Sequence, residues 1–573
     1  MPEILPLPGA MISHHLTRSP ESDNAILLKK RAKPAPPAKE DQDVNNLHSQ
    51  RLLIKNGVIL MENGNMLRLQ FSYLTLRGTI SMTDQKMRKR TGRSVTINLA
   101  FLATLVFIFS IPYVASCADV PPFNGRLQAI IQRELPSNFV VSAQVVDLKT
   151  GRILMEKSPD LPLVPASTMK VVTSAAALQT LKPDFTFVTE VLADDVIANS
   201  VGNLFLKGGG DPHLVSEQLF ALTRELIDKG LLEIRKDIIV DDSHFAPGMP
   251  LDENEKLGHR SYHAPYSALS LNFNSIKFLV LPGLRPGESA RIVMDPVSEY
   301  AVVKGDVRTV KGDKPAQVNV TKETTDDDLE IINIQGEIGA QAPTKGRYVN
   351  VSSPALYTGN VFKQFLLQEG VKFEGQVKRD QTPPSAMPYL QFSSRPLGML
   401  VYWLNKFSNN FMAEQVSLAL GAKVHGYPGT REKGLSVVRS HLIKCGVNET
   451  HFSLSEASGL SRNNRLSASA LVKVLLTAAR DFTYNWEFMA SLGVAGVDGT
   501  LKEKFSDPGV KRRIRAKTGT LRGVNALAGY GISPEGRTFA FAVIVNSIQA
   551  GTGIVDYADK ISRAILDISM DKR

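Results

Sequence analysis

Residues 167–181 read STMKVVTSAAALQTL. Their apolar residues recur every three to four positions, which predicts a helix with a buried face that ends before Pro183. Ser167 then lies in the first turn, where the helix dipole favours developing negative charge. Lys170 follows one turn later on the same face. Burial and a second cation, Lys517, would lower the pKa of Lys170, so the pair suits a nucleophile and its base.

A second motif, Ser408-Asn409-Asn410, stands just before another helical pattern at 411–423. The Ser408 hydroxyl can relay a proton between Lys170 and a leaving group, and the Asn410 amide can hold both the lysine and a substrate amide. The structural alternative is a polar N-cap for the following helix.

The third motif is Lys517-Thr518-Gly519-Thr520, which reads as a strand bordering the site. Lys517 supplies positive charge for a terminal carboxylate, and the hydroxyls of Thr518 and Thr520 can bind it. Gly519 lets the backbone approach closely. The amide of Thr520, with that of Ser167, would form an oxyanion hole.

The main body reads as one α/β domain with an insertion. Helix and strand patterns in residues 119–184 resume in residues 393–573, whereas 185–392 is dominated by strand-like runs between glycine-rich turns. This predicts an α/β (α+β) fold in which one domain is built from both ends of the body. Residues 185–392 form its β-rich insertion.

The N-terminal part has the features of export. Residues 82–118 carry basic residues, an apolar run and then small residues, as a signal peptide does. Residues 1–81 are then disordered or a mis-assigned translation start. Cleavage after Ala118, lipidation of Cys117 and an uncleaved membrane anchor all remain open, and all three place the body outside the cytoplasm, in the bacterial periplasm or envelope. With Cys117 removed or lipidated, Cys445 reads as a small buried hydrophobe.

Charge and composition exclude several classes of function. Of the net charge of +11, residues 1–118 contribute 15 basic minus 8 acidic, or +7, which leaves only +4 for the remainder. The body has no long basic stripe, so we expect no nucleic-acid partner. The histidines show no metal-binding spacing, so we expect no metal and no cofactor.

Four further stretches extend the pattern of the three motifs: 208–212 (GGGDP), 241–245 (DDSHF), 458–462 (SGLSR) and 495–501 (AGVDGTL). Together with the 238 residues between Lys170 and Ser408 (408 minus 170), they make the chain resemble one known family. It resembles the D-alanyl-D-alanine carboxypeptidase/endopeptidases of the type-4 (class C, low-molecular-mass) penicillin-binding protein family, over roughly residues 120–570.

The resemblance implies a fold like that of penicillin-binding proteins and serine β-lactamases, with two small domains nested between the first two motifs. It implies hydrolysis of the terminal D-Ala-D-Ala bond of peptidoglycan stems, cutting of D-Ala-diaminopimelate cross-links, and covalent inhibition by β-lactams. Ser167 would be the nucleophile, Lys170 the base, Ser408 and Asn410 the relay, and Lys517 the electrostatic anchor.

Asp242, Arg462 and Arg522 are candidates for lining the substrate cleft. Many relatives carry a neutral residue where Arg522 stands, which leaves fine substrate preference open. A homodimer and a loose association with the membrane are further expectations.

Two other functions remain as alternatives. A serine β-lactamase would need a carboxylate-activated water, and no Glu-x-x-Leu-Asn stretch follows Ser408. A non-catalytic cell-wall binding factor is disfavoured because all the motif residues are intact.

Overall fold

The computed structural model describes residues 129–568, apart from 130, 248–262, 345 and 550, together with three short strands nearer the N-terminus. Those strands form a small antiparallel sheet in a first unit, Met1–Val120; their bounds are Leu53–Lys55 (β1), Val58–Leu60 (β2) and Met66–Arg68 (β3). The predicted export signal at 82–118, with Cys117, lies outside the described residues. The second unit, Pro121–Arg573, contains the three motifs.

An antiparallel sheet of six strands joins the two ends of this unit. Its strands, numbered in chain order and given in spatial order, are Gly493–Val494 (β22), Ile514–Leu521 (β23), Val524–Ile532 (β24), Thr538–Ser547 (β25), Phe139–Asp147 (β4) and Ile153–Lys157 (β5). Because β4 pairs with β25, the early and late parts of the chain form one sheet, as the sequence predicts.

Both faces of this sheet are buried, and the side-chain alternation of a strand explains how. In β25, Ala540 and Ala542 face the core that contains the helix of the first motif. Phe539 and Phe541 face a second core that is closed by the C-terminal helix, Tyr557–Ile568. The first motif therefore lies in a helical layer on one face of the sheet.

The α-helices with described bounds are Met169–Leu181 (α1), Ser216–Asp228 (α2), Pro354–Gln368 (α3), Leu397–Lys406 (α4), Asn410–His425 (α5), Arg431–Lys444 (α6), Ala468–Arg480 (α7), Asn485–Ser491 (α8) and Tyr557–Ile568 (α9). The helices predicted over 167–181 and 411–423 are present as α1 and α5, with small shifts at their ends. In the described part of the chain, no helix combines the length and the apolar character that crossing a membrane requires.

The strands between α1 and α4 form separate sheets with a core of their own. The largest sheet has the spatial order Val377–Arg379 (β18), Ile238–Asp241 (β10), Leu204–Lys207 (β8), Val188–Ala193 (β6) and Met387–Ser393 (β19). The smaller sheets have the orders Arg291–Asp295 (β12), Ser275–Leu281 (β11), Gly346–Asn350 (β16); Ala301–Val310 (β13), Glu330–Gly339 (β15), Gln317–Thr324 (β14); and Lys372–Phe373 (β17), Glu233–Ile234 (β9), Ser200–Val201 (β7). Phe452–Ser453 (β20) and Arg465–Leu466 (β21) pair outside this region.

This region is not purely β, although strand-like runs dominate its sequence. Helices α2 and α3 lie between its strands, and α2 buries Leu219, Leu222 and Leu226 along one face. That spacing is helical, but no helix was predicted here because strand-like runs surround it. The domain limits 119–184, 185–392 and 393–573 remain a prediction.

Candidate active site

Ser167 lies in a single 3-10 turn, Ala166–Thr168, that runs directly into α1. Ala166 adopts a positive φ of 47°, a region that alanine seldom occupies. Gly459 makes this turn possible from the other side, because a Cβ there would lie 1.9 Å from the carbonyl oxygen of Ala166. Packing therefore holds the turn against its own backbone preference and leaves Ser167 half-buried.

The ammonium group of Lys170 contacts three other residues of the site. Its Nζ donates hydrogen bonds to Ser167 Oγ at 3.2 Å, to Asn410 Oδ1 at 2.6 Å and to the carbonyl oxygen of Ser458 at 2.5 Å. Three acceptors match the three protons of a lysine ammonium. The structure thus brings the first two motifs into direct contact.

The second motif spans the end of the short connection between α4 and α5 and the first residue of α5, Asn410. Asn409 is the N-cap, and its side chain accepts a hydrogen bond from the amide of Met412 at 3.0 Å. Ser408 has a positive φ of 56°. The capping role therefore belongs to the middle residue, and the side chains of Ser408 and Asn410 remain available to the two lysines.

Lys517 brings the third motif to the same place from β23. Its Nζ donates to Ser408 Oγ at 2.8 Å and to the carbonyl oxygen of Thr518 at 2.9 Å. The Ser408 hydroxyl is thus bonded to Lys517, while Lys170 bonds Asn410 two residues later. The predicted convergence of a hydroxyl, two amines and an amide oxygen is present in the structure.

Both lysines are fully buried, and their pKa values respond to it. Burial lowers the pKa of Lys170 to about 8, although the carboxyl groups of Glu456 and Glu414 partly oppose the shift. Burial and the nearby charge of Lys170 hold the pKa of Lys517 well below its usual value. Desolvation disfavours the charged form of an amine, so a fraction of Lys170 is neutral at moderately alkaline pH.

The other residues of the third motif lie along β23. The Thr518 hydroxyl donates to Thr500 Oγ1 at 2.7 Å. A Cβ on Gly519 would lie 2.7 Å from the carbonyl oxygen of Pro165, so only glycine lets β23 approach the serine turn this closely. Thr520 follows and is half-buried.

The three predicted cleft residues divide into two groups. Arg462 and Arg522 are exposed, and Arg462 Nη2 donates to the carbonyl oxygen of Arg522 at 2.7 Å, beyond the end of β23. Asp242 belongs to the inserted region, where it forms a two-fold ion pair with Arg379 at 2.9 and 3.0 Å. Ser267 links Asp242 to α5, since its hydroxyl donates to Asp242 at 2.8 Å and its carbonyl oxygen accepts from Gln415 Nε2 at 2.8 Å.

Among the described residues, no group of three or more histidine, cysteine, aspartate or glutamate side chains has the arrangement of a metal site.

The model of the D-Ala-D-Ala carboxypeptidase 3 (S13) family matches residues 124–564. The chain belongs to this family.

The S13 assignment is supported by individual relatives. The chain is 31% identical over 477 residues to the D-alanyl-D-alanine carboxypeptidase of Actinomadura sp., covering 78% of this chain and 85% of that protein. It is 26% identical over 455 residues to D-alanyl-D-alanine carboxypeptidase DacB of Haemophilus influenzae, covering 78% and 93%. The S13 chain is therefore a serine-type D-Ala-D-Ala carboxypeptidase, and the predicted family and enzyme class are confirmed.

The fold is also that of a solved relative. The crystal structure of penicillin binding protein 4 (dacB) from Haemophilus influenzae superposes with a TM-score of 0.66 at 24% identity, over 77% of this chain and 98% of that one. The predicted α/β fold class is confirmed.

Several residues of the site were not predicted from the sequence. Ser458 contributes its backbone carbonyl, which every residue type has, so residue type could not predict this role although 458–462 was among the stretches that carry the resemblance. Thr500 lies in another such stretch, 495–501, and contacts Thr518. The buried acids Glu414 and Glu456 have no motif around them, and only their burial beside Lys170 identifies them.

Proposed function

We propose that this S13 peptidase acts through an acyl-enzyme on Ser167, with Lys170 as the general base. The observation that carries the proposal is the contact of 3.2 Å between Lys170 Nζ and Ser167 Oγ in a buried site. Neutral Lys170 takes the hydroxyl proton while Oγ attacks the carbonyl carbon of the penultimate D-Ala. The C–N bond then breaks, the leaving D-Ala amine gains a proton, and water later hydrolyses the ester.

Ser408 and Lys517 act on the leaving-group side. The hydrogen bond from Lys517 to Ser408 Oγ, at 2.8 Å, supports a path that returns a proton to the departing amine. Asn410 orients Lys170 and can accept from a substrate amide. The backbone amides of Ser167 and Thr520 form the oxyanion hole in this proposal.

Lys517, Thr518, Gly519 and Thr520 bind the terminal carboxylate of the substrate. Since burial and the nearby charge of Lys170 lower the pKa of Lys517 well below its usual value, this amine gives up its proton more readily than an exposed lysine. An arriving carboxylate favours the charged form and so recovers the proton. Selectivity for a free C-terminal carboxylate follows, because a neutral chain end would leave the amine without a counter-charge.

The substrate class in this proposal is peptidoglycan, both its terminal D-Ala-D-Ala bonds and its D-Ala-diaminopimelate cross-links. Arg462 and Arg522 are exposed beside β23 and can meet the acidic groups of stem peptides. Asp242, paired with Arg379, would contact the more distant part of a cross-linked substrate. A crystal structure of the Haemophilus influenzae protein in complex with a β-lactam, with a TM-score of 0.63, supports β-lactams as covalent inhibitors.

The deciding experiment compares Ser167→Ala with Ser440→Ala, which alters an exposed serine on α6. Each variant is incubated with fluorescent penicillin and with purified peptidoglycan, and the products are separated by chromatography. Ser167→Ala should lose covalent labelling, loss of D-Ala and loss of cross-linked dimers, while Ser440→Ala keeps all three. Labelling of a folded Ser167→Ala protein would refute the nucleophile assignment.

We also infer export to the periplasm or envelope, with residues 82–118 as the signal. A substrate in the cell wall supports this location, and mass spectrometry of the mature native protein tests it. A mature start at Asp119, a lipidated Cys117 and an intact segment separate release, lipoprotein anchoring and membrane anchoring. Sedimentation of the same protein tests the expected homodimer.

A further inference from the structure

Two acidic residues lie deep beneath the catalytic lysine, and the mechanism above does not use them. Glu414 and Glu456 are only 3% and 1% exposed. Glu414 follows Asn410 by one turn of α5, so both side chains lie on one face of that helix. Burying two acids together is costly and needs a compensating arrangement.

Both acids accept hydrogen bonds from the backbone of the same loop, residues 457–459. Glu414 Oε1 accepts hydrogen bonds from the amides of Ala457 at 2.9 Å and Ser458 at 2.8 Å. Glu456 Oε2 accepts from that same Ser458 amide at 2.9 Å, and its Oε1 accepts from the amide of Gly459 at 2.6 Å. One N–H thus lies between the two carboxyl groups, which places them side by side.

The opposite side of this loop holds the lysine. The peptide unit between Ser458 and Gly459 presents its carbonyl to Lys170 Nζ at 2.5 Å and its N–H to Glu456 at 2.6 Å. An anionic acceptor on the N–H polarises the peptide and makes its carbonyl a stronger acceptor for Lys170. The charge of Glu456 therefore reaches the lysine both through space and through this peptide.

The surroundings of Glu414 and Glu456 favour one negative charge on the pair over two. Two adjacent buried carboxyls cannot both ionise readily, and burial together with Glu456 raises the pKa of Glu414 well above its usual value. Arg431, at the start of α6, is the cation that opposes this shift, and Lys170 faces the pair from α1. Tyr266 also faces it, and burial raises the pKa of that phenol, so it stays neutral.

We propose that Glu414 holds a proton and Glu456 a negative charge, and that this half-protonated pair sets the basicity of Lys170 through the Ser458–Gly459 peptide. This inference depends on the proposed role of Lys170 as base. Glu414 and Glu456 are positioning residues, since neither touches the nucleophile. With two charges Lys170 would stay protonated, and with none it would lose its preference for the Ser458 carbonyl.

The test follows the rate of acylation by fluorescent penicillin as a function of pH in the full chain. Glu456→Gln alone is ambiguous, because Glu414 could then ionise in its place. The informative pair is Glu414→Gln and the double variant Glu414→Gln with Glu456→Gln. Glutamine keeps the acceptor oxygen and the size of the side chain, and thermal unfolding checks that each variant folds.

Glu414→Gln should leave the midpoint of the acidic limb in place, since the residue is already neutral. The double variant should move that midpoint to lower pH by about one unit, because removing the remaining negative charge makes Lys170 easier to deprotonate. Equal shifts in both variants would overturn the single-proton arrangement. An unmoved limb in the folded double variant would overturn the link to Lys170.

A second measurement needs no enzymatic turnover. The infrared difference spectrum of the native protein minus Glu414→Gln at neutral pH should show the carbonyl band of a protonated buried carboxyl. Asp211, whose pKa burial raises to about 7, is present in both proteins and cancels in the difference. A difference spectrum without this band would refute the inference while leaving the role of Lys170 intact. A native acylation profile without any acidic limb would instead contradict Lys170 as base, and the inference with it.

Discussion

Lys170 and Lys517 place two amines in one buried site, and each amine reaches a different hydroxyl. A single buried amine already costs free energy of unfolding, and a second one of like charge adds to that cost. The site is thus an instance of function retained at the expense of stability. Substitution at Lys517 can separate the two effects.

Lys517→Met should raise the free energy of unfolding by on the order of 1 kcal/mol at neutral pH, while acylation by penicillin falls about 100-fold or more. The unfolded chain keeps this lysine protonated up to its usual pKa of 10.5, but the folded protein does not. Between the lowered pKa of the folded protein and 10.5, the unfolded state therefore binds more protons, and the free energy of unfolding of the native protein rises with pH. The stability difference between Lys517→Met and the native protein should accordingly shrink as the pH approaches 10.5.

Thermal unfolding at several pH values measures this difference. Lys236→Met, at an exposed position, is the matched control and should show no such pH-dependent gain. A Lys517→Met protein that is less stable than the native one at neutral pH would contradict the prediction.

At this level the sequence was informative wherever a side chain's chemistry defines its role. Ser167, Lys170, Ser408, Asn410 and Lys517 were all predicted from residue type and order along the chain, and they meet in the structure. The backbone carbonyl of Ser458 and the acids Glu414 and Glu456 were not predicted. Their importance comes from position alone, which residue identity does not encode.

The serine turn and β23 form a close backbone contact on which the site depends. Gly519 faces the carbonyl oxygen of Pro165 with no space for a side chain. A small displacement of β23 would move Lys517 and the Thr520 amide away from Ser167 together. The position of β23 relative to the serine turn therefore matters more to the site than either element by itself.

Gly519→Ala should slow acylation by about 10- to 100-fold, because misplacing reacting groups by a fraction of an ångström is costly. The fold should survive, with a loss of about 1–3 kcal/mol in free energy of unfolding from overpacking. Gly509→Ala is the control, since a Cβ there meets nothing within 4 Å. Native acylation rates in Gly519→Ala would show that the close approach is not needed.

The helices at the first two motifs were predicted because an apolar helical period is a local signal, whereas α2 was not predicted. The observed α5 spans Asn410–His425 where 411–423 was predicted, and α1 ends at Leu181 as expected. The capping pattern was less predictable. Three polar residues stand at the start of α5, and only the backbone angles decide that Asn409 is the cap and that its two neighbours contact the lysines.

The central sheet holds the molecule together across nearly 400 residues of sequence. Strand β4 pairs along its whole length with β25, from the Phe139–Ser547 pair to the Asp147–Phe539 pair. Its residues Val141, Ala143 and Val145 are buried in the core that α9 closes. The helical layer that contains Lys170 thus rests on a sheet that neither end of the chain can complete alone.

A chain that begins after Lys157, without β4 and β5, should fail to fold and should not react with penicillin. Fully burying one valine contributes about 1.5–3 kcal/mol, so losing several exhausts the 5–15 kcal/mol typical of a domain. Circular dichroism and fluorescent-penicillin labelling measure the outcome. A chain that begins at Pro121 keeps the whole sheet and is the control. Cooperative unfolding and labelling of the shorter chain would contradict this account.

By itself the sequence determined the α/β class, because helical period and strand alternation are patterns of neighbouring residues. The resemblance of its ordered motifs to one known family identified the family and the residues proposed to carry the chemistry. Tertiary packing decided the rest. It brought Ser167, Asn410, Lys517 and the Ser458 carbonyl together, buried both amines enough to lower their pKa values, and placed Glu414 against Glu456. Desolvation and contact between distant segments arise only when the chain is folded, so no stretch of the sequence carries them.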